Sequence, residues 1–252
     1  MRSRLGVWVF LMVSLWLGVV PAAAQVVDVD LQLVLAIDVS RSIDEVEGRL
    51  QRQGYMEAIS DQRVIDAIVS GQHRRIALCY IEWAGAHYQR VVIDWTVIDS
   101  DAAARAFVER LSEAPRVSES WTAVGAALEF SGNKLRTSPF RSDRRVIDVS
   151  GDGRNNHGPP DAPIRDRLVA EGIVINGLPI MLGRANFGRP PDDQLDQYYE
   201  ENVIGGPGSF LIVARSFEDF GRAVRTKLVK EISGVERAGT AIGLVARPPS
   251  AD

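Results

Sequence analysis

The sequence predicts an α/β fold: a Rossmann-like, doubly wound, mostly parallel sheet with one antiparallel edge strand and helices on both faces. Three observations predict it. Short apolar runs alternate along the chain with longer segments of helical period, the pattern of right-handed βαβ crossovers. The first run, residues 31–37 (LQLVLAI), is apolar almost throughout, as a strand buried on both faces requires. Residues 75–83 and 89–98 are strand-like and joined by the short AGAHY turn, which reads as a hairpin and supplies the antiparallel edge.

The remaining elements follow in order. After the first strand, Val46, Leu50, Gly54, Ala58 and Ile59 recur at helical spacing. Ser100 opens a helix beyond the hairpin, with Ala103, Phe107 and Leu111 on one face. A second helix follows Ser120 and carries Val124, Ala127, Leu128 and Leu135. Residues 144–150 (RRVIDVS) form a strand, 161–171 a helix and 173–180 (IVINGLPI) a further strand. Residues 195–203 form a short helix, 209–213 a last strand and 217–232 a closing amphipathic helix. A single sheet of about six strands accommodates this set, with no internal repeat and no low-complexity tract.

Composition narrows the function. A chain of 252 residues with 46% hydrophobic and 25% charged residues has enough apolar surface for one large folded domain. Twenty-nine basic against thirty-three acidic residues leave a net charge of −4, which argues against nucleic acid as a partner. Cys79 stands alone, so an intramolecular disulfide and a cysteine-built zinc site are both excluded; within the apolar run IALCYI it reads as a small buried hydrophobe. His73, His87 and His157 lie far apart and form no metal-binding helical pair.

Residues 1–24 (MRSRLGVWVFLMVSLWLGVVPAAA) have the three parts of an export signal: Arg2 and Arg4, an apolar stretch over 5–20, and a small-residue cleavage site. The alternative is an uncleaved membrane anchor. Cleavage after Ala24 would leave a folded domain over 25–233 and a tail over 234–252 that has no clear period and is expected to be mobile. The processed chain would carry a net charge of −6 and be periplasmic or secreted, with no stable membrane span.

Three loops concentrate hydroxyls and carboxylates. Asp38, Ser40 and Ser42 alternate just past the first strand, where ligands of open α/β sheets bind. All are hard oxygen donors, suited to magnesium, manganese or calcium. Ser42-x-x-Glu45 also reads as a capping box for the next helix. Thr122 precedes a helix and reads equally as its N-cap. Asp152-Gly153, after the strand 144–150, is also ordinary turn chemistry. If the strand assignments hold, all three loops leave the same edge of the sheet.

In spacing and order, Asp38-x-Ser40-x-Ser42, Thr122 three residues before Gly125, and Asp152-Gly153 resemble the metal-ion-dependent adhesion site of the von Willebrand factor A domain. The resemblance covers roughly residues 30–232, and is nearest to a bacterial, exported, single-domain group of uncharacterised function. It implies that Ser40, Ser42 and Thr122 present hydroxyls to a divalent cation, with Asp38 and Asp152 acting largely through bound water. It implies binding of a protein or peptide ligand that supplies an acidic residue, and no catalysis. The sequence departs from the family where Ser120 and Trp121 replace the glycines that commonly precede the threonine.

Asp148 interrupts an apolar strand and calls for a partner, for which Arg144, Arg145 or a neighbouring hydroxyl are candidates. Arg41, Trp121 and Arg154 would form the rim of the metal loops, the two arginines steering an incoming acid. No nucleophile elbow and no phosphate loop is present, and Gly205-Gly206-Pro207-Gly208 reads as a turn. The competing reading is a metal-dependent hydrolase of a phosphate or other ester, with Asp38 and Asp152 holding the ion and His157 as general acid or base.

Overall fold

A computed structural model of the chain describes residues 26–181 and 191–234. The expected export signal and the tail beyond Gly234 lie outside the described residues. At the centre is β2 (Gln32–Asp38), every residue of which is buried. The chain first gives β1 (Val27–Asp28), which pairs in parallel with the distant β5 (Phe140–Arg141) as a small separate sheet. The main sheet has five strands in the order β4 (Gln89–Ile98), β3 (Ile76–Trp83), β2, β6 (Arg145–Gly151) and β7 (Ile173–Pro179). Only β3 and β4 are antiparallel, which is the expected hairpin edge.

Period-two alternation divides two cores. Leu33, Leu35 and Ile37 point to one face, with Leu78 and Tyr80 of β3. They meet Tyr55 of α1 (Glu45–Ile59), Ile65 of α2 (Gln62–Val69), Phe107 of α3 (Asp101–Glu113) and Phe220 of α7 (Phe217–Ser233). Val34 and Ala36 point to the other face, with Cys79, Ile81 and Trp83. There they pack on Leu128 of α4 (Val124–Arg136) and Leu168 of α5 (Asp161–Ala170). Cys79 is a fully buried free thiol, as expected, and burial pushes its pKa up to about 12. Among the described residues no helix is long and apolar enough to cross a membrane.

Three details differ from expectation. The segment 209–213 does not become a sixth strand. It meets β7 in a single parallel bridge, Gly177 to Leu211, and Phe210 N–H donates to Asn176 Oδ1 at 3.0 Å; a second bridge, Ile180 to Ala214, lies just past both segments. The helix expected over 195–203 is α6 (Leu195–Tyr198) followed by a π-helical turn over Tyr199–Val203. The partner of Asp148 is neither arginine nor hydroxyl. Arg144 donates to the carbonyls of Glu231 and Ile232, and Arg145 to that of Glu171. Asp148 instead faces Lys227 of α7, Nζ to Oδ1 2.7 Å, in an ion pair too poorly aligned to count as a hydrogen bond. Lys227 also pairs with Glu231, which accepts from Asn176 at 2.9 Å, and all four residues are buried.

The strand order reverses direction between β2 and β6. The chain builds outward on one side of β2 through β3 and β4, then returns to its other side as β6. The crevice at the carboxyl ends of two such strands is where doubly wound sheets bind ligands. Asp38 ends β2 and Gly151 ends β6 at that switch point, with Asp152 the next residue.

Candidate metal centre

Asp38 is fully buried, and its Oδ1 accepts the amide of Ser40 at 2.7 Å. This bond turns the chain as it leaves β2 and brings the two serines together, Ser40 Oγ to Ser42 Oγ at 2.8 Å. Ser42 Oγ donates in turn to Asp152 Oδ1 at 2.6 Å. Four of the five sequence-selected residues therefore lie in one chain of hydrogen bonds. The fifth, Thr122, lies beside the third loop: a Cβ built on Gly153, the residue after Asp152, would be 3.6 Å from its Oγ1.

Both alternative roles for these hydroxyls fail locally. The capping box of α1 is formed by Asp44 and Glu47, each side chain accepting the other's amide at 2.9 Å, and not by Ser42 and Glu45. The N-cap of α4 is Ala123, with no side-chain bond, so Thr122 does not cap that helix.

Backbone bonds stitch the three loops into one edge. Arg41 N–H donates to Glu119 C=O at 2.8 Å, and Glu119 N–H to Val39 C=O at 3.1 Å, joining the first loop to the second. Asn156 joins the second to the third: its Oδ1 accepts from Thr122 N–H at 2.9 Å, and its own N–H donates to Thr122 C=O at 2.8 Å. Asn155 Oδ1 lies 3.4 Å from Gly125 N–H, and Asn155 N–H donates to Tyr198 Oη at 2.9 Å. An Asn-Asn pair after Asp-Gly is ordinary turn chemistry, yet here Asn156 fixes the position of Thr122. Gly151 is required by proximity: a Cβ there would come within 2.8 Å of Asp38 Oδ2 and 2.9 Å of Tyr199 Oη. Tyr199, brought inward by the π-helical turn, is a buried neighbour of the centre that sequence reasoning missed; only the short polar helix around it gave a signal.

The charges are unbalanced. Asp38 Oδ2 and Asp152 Oδ2 are buried without a hydrogen-bond partner. Among the described residues neither carboxylate forms an ion pair. Burial first, then the Asp152 charge, pushes Asp38 well above the usual carboxylate range. Burial lifts Asp152 to about 6 against the opposing bond from Ser42. Two buried carboxylates with orphaned oxygens, beside three hydroxyls, are a donor set that a hard divalent cation would satisfy. Among the described residues no three acidic, histidine or cysteine side chains converge on one point, so hydroxyls must complete any such set.

The rim differs from expectation in one respect. Arg154 is held by Asp192, Nε to Oδ2 2.6 Å, and lies 5.1 Å over the Tyr198 ring, so its charge is already matched. Trp121 is 58% exposed and left-handed at φ 73°, a conformation that glycine takes freely and other residues only with strain. Its ring stacks on His157 at 5.5 Å and 20°. His157 Nδ1 accepts the amide of Ala86 at 2.9 Å, so the imidazole props the tryptophan from below.

A family model described as protein of unknown function (DUF1194) matches residues 28–236. No curated protein matches the chain. Among solved structures, a von Willebrand factor type A protein from Catenulispora acidiphila is similar at TM-score 0.53 and 16% identity, over 81% of this chain and 43% of that one. Proximal thread matrix protein 1 of the mussel byssus, with a zinc-occupied MIDAS motif, is similar at TM-score 0.60 and 13% identity, over 82% of this chain and 49% of that one. BatB from Bacteroides thetaiotaomicron gives TM-score 0.51 at 16% identity, over 80% of this chain and 98% of that one. The chain spans about half the length of the byssus protein, and 30% of the pilus adhesin SpaC from Lactobacillus rhamnosus GG. At such identities the likeness speaks for the fold, which is that of the von Willebrand factor A domain. With the family model covering nearly all of the described chain, the protein belongs to the DUF1194 family, built on this fold.

Proposed function

We propose that Asp38, Ser40, Ser42, Thr122 and Asp152 hold a divalent cation, magnesium or manganese before calcium, and that this ion binds an acidic residue of a protein or peptide partner outside the cytoplasm. The observation that carries the reading is the pair of buried, unpartnered oxygens on Asp38 and Asp152, at the switch point of the sheet and beside three hydroxyls. A cation there would supply electrostatic attraction for a carboxylate, because neutral hydroxyls among its ligands leave it electrophilic. The chain's own residues do the rest. Asn156 and Glu119 hold the loops in place, and Gly151 leaves room for Asp38. Solved structures with this fold include a pilus adhesin and a byssal matrix protein, which supports binding over turnover. The hydrolytic alternative asks His157 to face the ion, whereas its Nδ1 is engaged by Ala86 and its ring by Trp121.

The test is capture of a partner from an envelope extract by the immobilised protein with magnesium, repeated with excess chelator. Partner binding is expected to fall with chelator and with Thr122→Ala. Equal capture in both conditions would remove the adhesion reading. Trp121 provides a second expected outcome. Trp121→Gly relieves a left-handed strain of about 1 kcal/mol, so thermal stability should hold or rise. Partner affinity should nevertheless fall roughly tenfold, as for a central aromatic contact. A parallel loss of stability and affinity would make Trp121 structural.

A further inference from the structure

The widened turn that follows α6 sets one more polar group against the metal centre. π-helical turns are rare and are found frequently at functional sites. Here Ile204 N–H donates to Tyr199 C=O at 2.9 Å, closing the turn over Tyr199–Val203. The rings of Tyr198 and Tyr199 are both buried, with their centroids 6.1 Å apart. Tyr198 finds two partners: its hydroxyl donates to Asp161 and accepts Asn155 N–H at 2.9 Å. Tyr199 is 0% exposed, and its hydroxyl has no hydrogen-bond partner among the described residues.

Two strands make room for that ring. A Cβ on Gly177 of β7 would lie 2.9 Å from Tyr199 Cδ1, and a Cβ on Gly151 of β6 would lie 2.9 Å from Oη. The two glycines share one face of the sheet, since Gly177 pairs with Val149 and alternate residues of a strand face the same way. The point beside Gly151 is also 2.8 Å from Asp38 Oδ2, the orphaned oxygen of the first loop. The hydroxyl therefore lies near enough to Asp38 to donate to it after a small movement, or through one water. Phenylalanine would fill the same space without burying a hydroxyl, whose lost hydration nothing offsets here. Burial first, then the Asp38 charge, holds the hydroxyl well above the ordinary tyrosine range, so it keeps its proton and can only be useful as a donor.

We propose that Tyr199 is a positioning residue of the metal centre and sets its preference for magnesium over calcium. The inference rests on the five-residue metal site. When an ion engages Asp38, the Tyr199 hydroxyl donates to Oδ2 and fixes the orientation of the carboxylate, as hydrogen-bond partners of metal-binding side chains do. Magnesium demands near-ideal octahedral geometry, whereas calcium accepts a variable one, so a fixed carboxylate matters more to magnesium. The hydroxyl is a burden in the metal-free protein and a hydrogen bond in the loaded one. A purely structural tyrosine would show the same value in both.

Calorimetric titration of the whole protein and of Tyr199→Phe with magnesium and with calcium, together with melting curves in chelator, tests this. Without metal the variant should melt no lower than wild type, because phenylalanine keeps the ring and loses only an unbonded hydroxyl. Its magnesium affinity should fall about tenfold, the lower end of what removing such a hydrogen-bond partner does to metal affinity. Its calcium affinity should fall distinctly less, so the ratio of the two narrows. Magnesium affinity equal to wild type or higher, or equal losses for both ions, would overturn the proposal. A variant that melts lower in chelator would make the hydroxyl structural and overturn it too. A wild type that binds neither ion would remove the metal site and the role of Tyr199 together. Binding by wild type beside an unchanged variant would remove the role of Tyr199 alone.

Discussion

Replacing Lys227 by methionine is expected to lower stability by about 3–5 kcal/mol, the usual cost of removing one partner from a buried ion pair. For a domain of this size that is a fall in Tm of roughly 6–20 °C. Lys227 is 0% exposed and is the only cation paired with Asp148 and Glu231 among the described residues. Burial raises the pKa of both carboxyls, and with Asp148 beside it Glu231 reaches about 7, although the lysine opposes the shift in each case. Without the lysine both carboxyls rise further. A raised folded-state pKa gives stability that is complete below the unfolded value and lost as pH rises through the folded one. The variant should therefore lose much more stability relative to wild type at pH 8 than at pH 5. Adding Asp148→Asn and Glu231→Gln should recover most of the loss, since amides tolerate the site without a counter-charge. Calorimetry of the three proteins at both pH values checks this. A pH-independent loss that the amides do not relieve would mean the lysine acts by packing alone.

The same network shows where sequence reasoning stops. The central strand was legible because Leu33, Leu35 and Ile37 serve one core and Val34 and Ala36 the other, so an unbroken apolar run could only be two-faced. The hairpin edge was legible from its short turn. Lys227 and Glu231 were not, because a pair spaced by four on a helix ordinarily reads as a solvated salt bridge. Their signal was position: they fall at three-and-four spacing along the buried stripe of Phe220, Ala223, Val224 and Leu228. Segment 209–213 has strand composition yet makes only an isolated bridge, since β7 spends some of its edge groups elsewhere; Ile175 N–H, for instance, donates to Gly205 C=O. Spacing singled out Asp38, Ser40, Ser42, Thr122 and Asp152 as candidates, and the fold brings them to one edge. Spacing could not show that Asp44 and Glu47, two residues later, take the capping role from Ser42 and Glu45. Nor could it show that Asn155 and Asn156 bind across loops, because an Asx side chain has the same sequence signature when it closes its own turn.

Asp38→Asn separates stability from metal binding, because the two should move in opposite directions. Oδ1 of an asparagine still accepts the Ser40 amide, so the turn after β2 survives. The substitution removes a buried charge that faces Asp152, and the metal-free protein should melt higher than wild type at pH 7.5. The metal response should vanish. For wild type at a magnesium concentration near one hundred times Kd, linkage gives about 2.7 kcal/mol, or roughly 5–11 °C. The pH dependence follows from the folded-state values. Asp152 at about 6 and Asp38, also raised, hold protons more tightly in the folded metal-free protein than when unfolded. The contribution of both to metal-free stability is fully present below the ordinary carboxylate range; that of Asp152 is lost as pH rises through about 6, and that of Asp38 as pH rises through its own raised value. Magnesium must displace those protons, so the shift it gives to wild type should be small at pH 5 and large at pH 7.5. A magnesium shift in Asp38→Asn equal to that of wild type would move the ion elsewhere. A variant that melts lower than wild type without metal would show that the two aspartates do not repel, and the electrostatic case for a cation between them would go with it.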